Sequence, residues 1–183
     1  MILAAALMLG AEPPKSADQD YLVSFFLDTC TRGSGRVEAG AVSESRIENT
    51  PYPIQKWYKD VKDTKVTAIK RESPAFLVQF EQTPVQHDDF KSGCAVISNK
   101  VDFHASIVSV METFNYIVTP SFFNKAKKFY KNGVEEITFN PEGVNYMVRF
   151  IRIGDGYVVM QTAFLNDLAF QKKLRREEKA RKN

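Results

Sequence analysis

The pattern of hydrophobic positions changes from a helical period to an alternating period along the chain. Apolar residues first recur three and four positions apart over residues 21–30, which predicts a helix that ends at the glycine-containing segment 32–35. A weaker pattern of the same kind predicts an interrupted amphipathic helix over residues 36–50. After two prolines, residues 54–58 predict a short helix whose Trp57 and Tyr58 are buried in the core.

Alternation of apolar and polar residues then predicts two clusters of strands, over residues 64–98 and 134–165. The second cluster is expected to form a three-stranded meander, with a hairpin at the Asp155–Gly156 pair. Between the clusters, Asp102 precedes a helical pattern and is expected to cap that helix.

A second helix between the clusters is predicted from Pro120 to Gly133, because proline is favoured at the first helical position and glycine just after the last. Helices before and between two groups of strands predict an α+β fold rather than a wound parallel sheet. We expect an antiparallel sheet of about six strands, with helices on one face and a meander at its end.

The amino terminus has the composition of a secretory signal peptide. Residues 1–11 are uncharged and almost wholly apolar, and 12–15 switch to polar, proline-containing sequence. About ten apolar residues are too few to span a bilayer but suit the hydrophobic region of a leader. No Lys or Arg precedes this run, and Leu9 is a poor residue three places before a cleavage at Ala11. The alternatives are a short buried helix in a cytoplasmic protein and an uncleaved anchor.

The net charge of +3 comes from the carboxyl terminus. The chain has 25 Lys and Arg against 22 Asp and Glu, yet residues 171–183 alone contribute +5 and leave residues 1–170 at −2. This basic segment has few apolar side chains, so we expect a frayed, solvated helical end that does not pack on the body. The alternative is an arm that contacts phosphate groups or anionic lipid. The expected organisation is a leader (1–15), one globular domain (16–170) and a basic tail (171–183).

The two cysteines, Cys30 and Cys94, are expected to form a disulfide bond if the chain is exported. The bridge would connect the first helix with a strand of the sheet. In a reducing cytoplasm the two residues would instead be buried thiols that pack as small hydrophobes.

The sequence contains only isolated candidates for catalytic or metal-binding residues. His87, Asp88 and Asp89 stand together in a polar loop, and His104 lies in the helix after Asp102. These residues are the candidates for an acid–base pair, although a solvated turn explains the loop better than a metal site. The chain contains no HExxH, CxxC or GxSxG motif. No cofactor or metal is predicted.

Two arginines of the meander are candidates for binding an anion. Arg149 and Arg152 are an odd number of positions apart, so they lie on opposite faces of one strand. Arg152 falls on the more apolar face, where an inward guanidinium would bind an anionic ligand. The simpler interpretation is that Arg152 ends its strand and reaches solvent.

These observations favour a small exported protein, periplasmic or secreted, that is held by one disulfide and acts by binding a protein or a small molecule. One alternative is a hydrolase or isomerase with a His/Asp pair in a pocket between sheet and helices. The other is a cytoplasmic accessory protein whose basic tail contacts nucleic acid or a membrane. Because the aromatic residues occupy core positions, nucleic acid is a less favoured partner than a protein or a small molecule. No membrane span is predicted in the mature chain.

Overall fold

The fold is described from a computed structural model of the whole chain. The description covers residues 17–32, 37, 40–59, 61, 64–71, 74–80, 90–116, 135–154 and 156–181. The predicted leader, the loop that contains His87, and the helix predicted from Pro120 to Gly133 lie outside these residues.

A seven-stranded antiparallel sheet forms the centre of the described structure, with the order β1-β2-β3-β4-β7-β6-β5. Its strands are β1 Val42–Ser45, β2 Lys65–Ile69, β3 Ala75–Phe80, β4 Phe90–Ser98, β5 Glu135–Phe139, β6 Tyr146–Ile153 and β7 Tyr157–Leu165. Two meanders, β1 to β4 and β5 to β7, meet where β4 pairs with β7. The predicted α+β class and the closing three-stranded meander are confirmed.

Four α-helices accompany the sheet in the described ranges: α1 Ala17–Phe26, α2 Tyr52–Tyr58, α3 Phe103–Thr113 and α4 Asp167–Arg181. A π-helical turn, Leu27–Thr31, continues α1, and a 3-10 turn, Ile47–Asn49, precedes α2. None of the helices in this part of the chain is long and apolar enough to cross a membrane.

The sheet carries a separate hydrophobic core on each face. On the first face, α1 and α3 pack on side chains such as Val96 and Phe150; we call this the α1/α3 face. On the opposite face, Ile54 and Tyr58 of α2 pack on side chains such as Ile97, and we call this the α2 face. The expectation that all helices lie on one face is therefore wrong. Successive residues in the second half of β4 point to opposite faces and are all buried, so other elements must cover both faces of this strand.

The helix predicted over residues 36–50 is wrong where the structure describes this segment, which forms β1 at Val42–Ser45 and the 3-10 turn at Ile47–Asn49. Gly40 adopts a left-handed conformation (φ +88°), and β1 then pairs with β2 so that Val42 lies opposite Ile69. As a short strand at the edge of the sheet, β1 has exposed Ser43 and Glu44 and shows little of the alternation that identifies a buried strand. The backbone bonds that β2 offers decide its conformation.

Asp102 caps α3 as predicted, because its side chain accepts a hydrogen bond from the backbone N–H of Ala105 at 2.8 Å. The backbone N–H of Asp102 in turn donates to Oε1 of Gln19 in α1, at 3.0 Å. Gln19 is buried, so this contact fixes the start of α3 against α1.

Helix α4 contacts the turn between β5 and β6 through Lys173, Glu177 and Arg181, which are spaced four residues apart. Lys173 Nζ donates to the carbonyl oxygens of Pro141 and Val144, at 2.5 and 2.8 Å. Arg181 bonds Glu142 at 2.9 Å. Ala169 near the start of this helix is buried, and polar contacts connect the rest of the helix with the body. The expectation that residues 171–183 lie outside the fold is therefore corrected for residues 171–181.

Candidate functional site

A row of polar side chains crosses the last three strands on the otherwise apolar α2 face. Thr138, Arg149 and Gln161 are successive register partners on β5, β6 and β7. Glu136 lies two positions before Thr138 on the same face of β5, and Tyr58 reaches the row from α2. We call these five residues the polar row. Neighbouring positions on this face, such as Ile151 and Val159, are buried and apolar.

Glu136 accepts two hydrogen bonds within the polar row. Arg149 Nε donates to Glu136 Oε1 at 2.8 Å, and Thr138 Oγ1 donates to the same oxygen at 3.2 Å. The side chains of Arg149 and Glu136 are only 15% and 17% exposed, so water screens this ion pair less than it would a pair on the surface. The pair neutralises both charges and holds the guanidinium in a fixed orientation.

Tyr58 and Gln161 form the deepest part of the polar row. The Tyr58 hydroxyl donates to Oε1 of Gln161 at 3.2 Å, and both residues are almost completely buried. Burial raises the pKa of Tyr58 well above its ordinary value, while the positive charge of Arg149 acts in the opposite direction. Tyr58 therefore stays protonated and acts as a hydrogen-bond donor.

Arg149 and Gln161 have N–H donors that form no hydrogen bond within the polar row. Arg149 uses Nε toward Glu136, and within the described residues neither of its Nη atoms has a hydrogen-bond partner. Gln161 binds Tyr58 through its amide oxygen, so the amide nitrogen is its remaining donor group. Two kinds of N–H donor on adjacent strands suit a ligand that carries acceptor oxygens, such as a carboxylate.

The cysteines pair as predicted: a disulfide bond joins Cys30, in the π-helical turn, to Cys94 in β4, with 5.3 Å between their Cα atoms. Both residues are buried on the α1/α3 face. The hydroxyl of Thr162 on β7 lies 3.1 Å from the carbonyl oxygen of Cys30 and 3.3 Å from that of Cys94. The bridge thus connects the turn after α1 with β4, and the Thr162 hydroxyl adds a contact from β7.

Arg152 lies on the α1/α3 face, opposite to Arg149. Its guanidinium stacks over the ring of Phe103, with 4.8 Å between the guanidinium carbon and the ring centroid. A nitrogen of Arg152 lies 3.7 Å from a carboxylate oxygen of Glu135, its register partner. The side chain is 43% exposed and ends near the sheet margin, so the two arginines do not form a common site.

The acid–base candidates are only partly placed by the structure. His104 is exposed on α3 and its ring contacts that of Phe103 at 5.5 Å between centroids. The Asp102 carboxylate bonds the backbone of its own helix. His87, Asp88 and Asp89 lie outside the described residues, so a His/Asp pair that includes them stays a prediction. No group of three or more metal-ligating side chains occurs in the described ranges.

A shallow groove of about 440 Å³ separates α1 from α3. Asp20 and Glu112 stand on its two sides, and Leu27 forms part of its apolar floor. Its lining contains carboxylates, hydroxyls and apolar groups but no imidazole, so this groove offers no His/Asp pair.

Tyr58, Gln161 and Glu136 were not among the candidates that the sequence indicated. Tyr58 was interpreted as a core residue together with its neighbour Trp57. Gln161 stands within the apolar run of β7, and a single amide in such a run is a usable signal of a buried polar contact. The partner of that amide could not be read from the sequence because Tyr58 lies 103 residues away.

Comparisons with protein-family models, with curated proteins and with solved structures found no match to this chain. We therefore infer function from the fold, the disulfide bond and the arrangement of the polar row.

Proposed function

We propose that this protein is a small exported domain, periplasmic or secreted, that acts by binding rather than by catalysis, with Arg149 at the centre of its ligand site. The Cys30–Cys94 bridge supports export, because disulfide bonds persist in oxidising compartments and are rare in the cytoplasm. The signal-like composition of residues 1–15 points in the same direction.

The main support for the proposed ligand site is the fixed orientation and the burial of the Arg149 guanidinium. One nitrogen is fixed by Glu136, and the side chain is largely buried among apolar residues of the α2 face. The outer nitrogens then have a fixed direction, so a ligand loses little free energy in ordering them. Because Glu136 already balances the charge, a singly charged or neutral acceptor group fits better than a multiply charged anion.

The chemistry of the polar row favours binding over acid–base catalysis. Tyr58 is held protonated by burial and donates to Gln161, so it does not serve as a base near neutral pH. Glu136 accepts bonds from both Arg149 and Thr138 and is engaged as an ion-pair partner. The proposed ligand is a small molecule with a carboxylate or a comparable oxygen acceptor.

Thermal unfolding of the full chain with acetate tests the ligand site, and inorganic phosphate, as a multiply charged anion, should have the smaller effect. At ten times the dissociation constant, a ligand specific to the folded state should raise the midpoint by about 3–6 °C. Arg149→Lys keeps the charge opposite Glu136 but removes the planar fork, so the rise should disappear. Arg152→Lys is the matched control, on the opposite face of the same strand, and should retain the rise. Equal responses of the two variants would refute the site.

Cell fractionation with non-reducing mass spectrometry tests the proposed location. We expect the mature chain outside the cytoplasm, beginning near residue 12 and with no free thiol. Recovery of the protein from the cytoplasm with two free thiols would overturn the proposed export, whatever the ligand titrations show.

A further inference from the structure

Four basic side chains form one continuous row on the outer side of α4. Lys172, Arg175, Arg176 and Lys179 are spaced three, one and three residues apart, which places them on the same face of a helix. All four are exposed. At 1.5 Å of rise per residue the row is about 10 Å long. We call it the basic row.

The four charges of the basic row have no ion-pair partner among the described residues. No ion pair or hydrogen bond joins any of the four side chains to another residue in the part of the chain that the structure describes. Of the two acidic neighbours, Glu177 points away, since its carboxylate accepts a bond from the backbone N–H of Gly143, and the exposed Glu178 forms no ion pair with the four residues. Four unpaired cations within two helical turns repel one another, and a negatively charged surface would relieve this repulsion.

The opposite side of α4 holds the basic row in place. Lys173 is bonded to two carbonyl oxygens of the β5–β6 turn, and Arg181 to Glu142 of the same turn. Asn166 caps the start of the helix, with its side chain accepting from the N–H of Ala169 at 2.9 Å. The basic row therefore belongs to an ordered helix with a defined outer face.

We propose that the basic row is a binding surface for the anionic headgroups of a lipid bilayer, which holds the protein peripherally at a membrane. A bilayer presents a plane of negative charge, and a helix fixed by its inner side can meet such a plane with its outer side alone. The basic row contains no aromatic or apolar side chain that would insert into the bilayer. The attraction is therefore electrostatic and sensitive to salt.

The charge distribution favours a bilayer over nucleic acid as the occupant. Residues 1–170 carry a net charge of −2, so a long polyanion that extends beyond the basic row would run along an acidic body. The row also lacks Asn and Gln, which read adenine, and aromatic residues, on which bases stack. This proposal is independent of the ligand site at Arg149, because the two surfaces share no residue.

Co-sedimentation of the full chain with vesicles tests the proposal. We expect binding to phosphatidylglycerol vesicles in low salt, loss of binding in high salt, and no binding to phosphatidylcholine vesicles. One Lys or Arg near an anionic surface contributes roughly a factor of five to binding. Replacing all four residues of the basic row by Gln should therefore weaken binding by a few hundred-fold.

The matched control replaces four other exposed lysines by Gln: Lys56, Lys65, Lys70 and Lys100. This variant has the same total charge as the first, so it separates the basic row from net charge. Circular dichroism should show both variants folded, because the substituted side chains are exposed. Equal loss of binding in the two variants would overturn the proposal. Tighter binding to duplex DNA than to vesicles at the same salt concentration would do so too, in favour of nucleic acid.

Discussion

The ring of Phe80 on β3 covers Gly93, its register partner on β4. A Cβ atom on Gly93 would overlap three atoms of this ring. Phe80 is buried, and its ring centroid lies 5.8 Å from that of Tyr58, so the ring cannot move aside without displacing the polar row. Position 93 requires glycine for a steric reason, since the strand conformation itself admits any residue.

Replacing Gly93 by Ala should therefore lower the free energy of unfolding by about 1–3 kcal/mol, the range typical of overpacking in a core. Gly154→Ala is the control, because a Cβ there would meet Pro53 Cγ at an ordinary contact distance of 3.6 Å. That variant should stay within about 1 kcal/mol of the wild type. Urea unfolding measures both values. Equal stabilities of the two variants would show that the Phe80 ring moves aside with no loss in the free energy of unfolding.

Removal of the disulfide should have a larger effect. Cys30 and Cys94 are 64 residues apart, and closing a loop of that length stabilises a protein by about 4 kcal/mol on the chain-entropy estimate. The double variant Cys30→Ala/Cys94→Ala should lose about 2–5 kcal/mol in urea unfolding. Wild-type protein unfolded in the presence of a reductant is the control and should approach the variant. An unchanged midpoint in both measurements would contradict a stabilising bridge.

The Tyr58 hydroxyl predicts a dependence of stability on alkaline pH. Burial raises the pKa of Tyr58 in the folded protein, whereas the unfolded chain releases this proton around pH 10.0. The contribution of the protonated Tyr58 hydroxyl to the free energy of unfolding is fully present below that pH. It is lost as the pH rises further, by up to about 1.4 kcal/mol per pH unit. Tyr58→Phe should remove this part of the slope, measured by urea unfolding between about pH 8 and 11.

Part of the alkaline slope should remain in Tyr58→Phe, because the pKa of Tyr146 is also raised, chiefly by its burial. Tyr52→Phe provides the control, since this side chain is 71% exposed and removal of its hydroxyl should leave the wild-type dependence of stability on pH. If Tyr58→Phe and Tyr52→Phe gave the same pH profile, the hydroxyl of Tyr58 would not be buried as described.

Lys173 should fix α4 on the body of the protein. Burial lowers the pKa of Lys173, and the carboxylate of Glu177 opposes this shift. Lys173→Met removes the bonds to Pro141 and Val144, so amide hydrogen exchange over residues 167–181 should accelerate about tenfold or more. Lys172→Met, one residue away on the exposed side, should leave exchange unchanged. Identical exchange in the two variants would contradict the anchoring role of Lys173.

Features that depend on local pattern could be predicted from the sequence. The strands of the second meander follow from alternation, because side chains of a strand point to opposite faces in turn. The cap at Asp102 follows from its place directly before an apolar helical run. The partner of Cys30 followed from the cysteine count, whereas formation of the bond was predicted only for an exported chain.

Features that depend on distant partners could not be predicted. β1 forms because β2 offers it an edge, and residues 36–50 by themselves resemble a weak helix. The polar row needs the β6–β7 register that sets Arg149 beside Gln161, and it needs α2 on the opposite face from α1. The four-residue spacing of Lys173, Glu177 and Arg181 was visible in the basic tail, but the turn that receives them was not.

The Cys30–Cys94 bridge also bears on the order in which the chain can fold. Both cysteines precede β5, β6 and β7, and Thr162 follows Cys94 by 68 residues. During synthesis or export from the amino terminus, the pair becomes available while only the first meander has emerged. Oxidation at that stage would fasten α1 to β4 and leave the other edge of β4 open. The second meander would then complete the sheet by adding β7 to a strand that is already held in place.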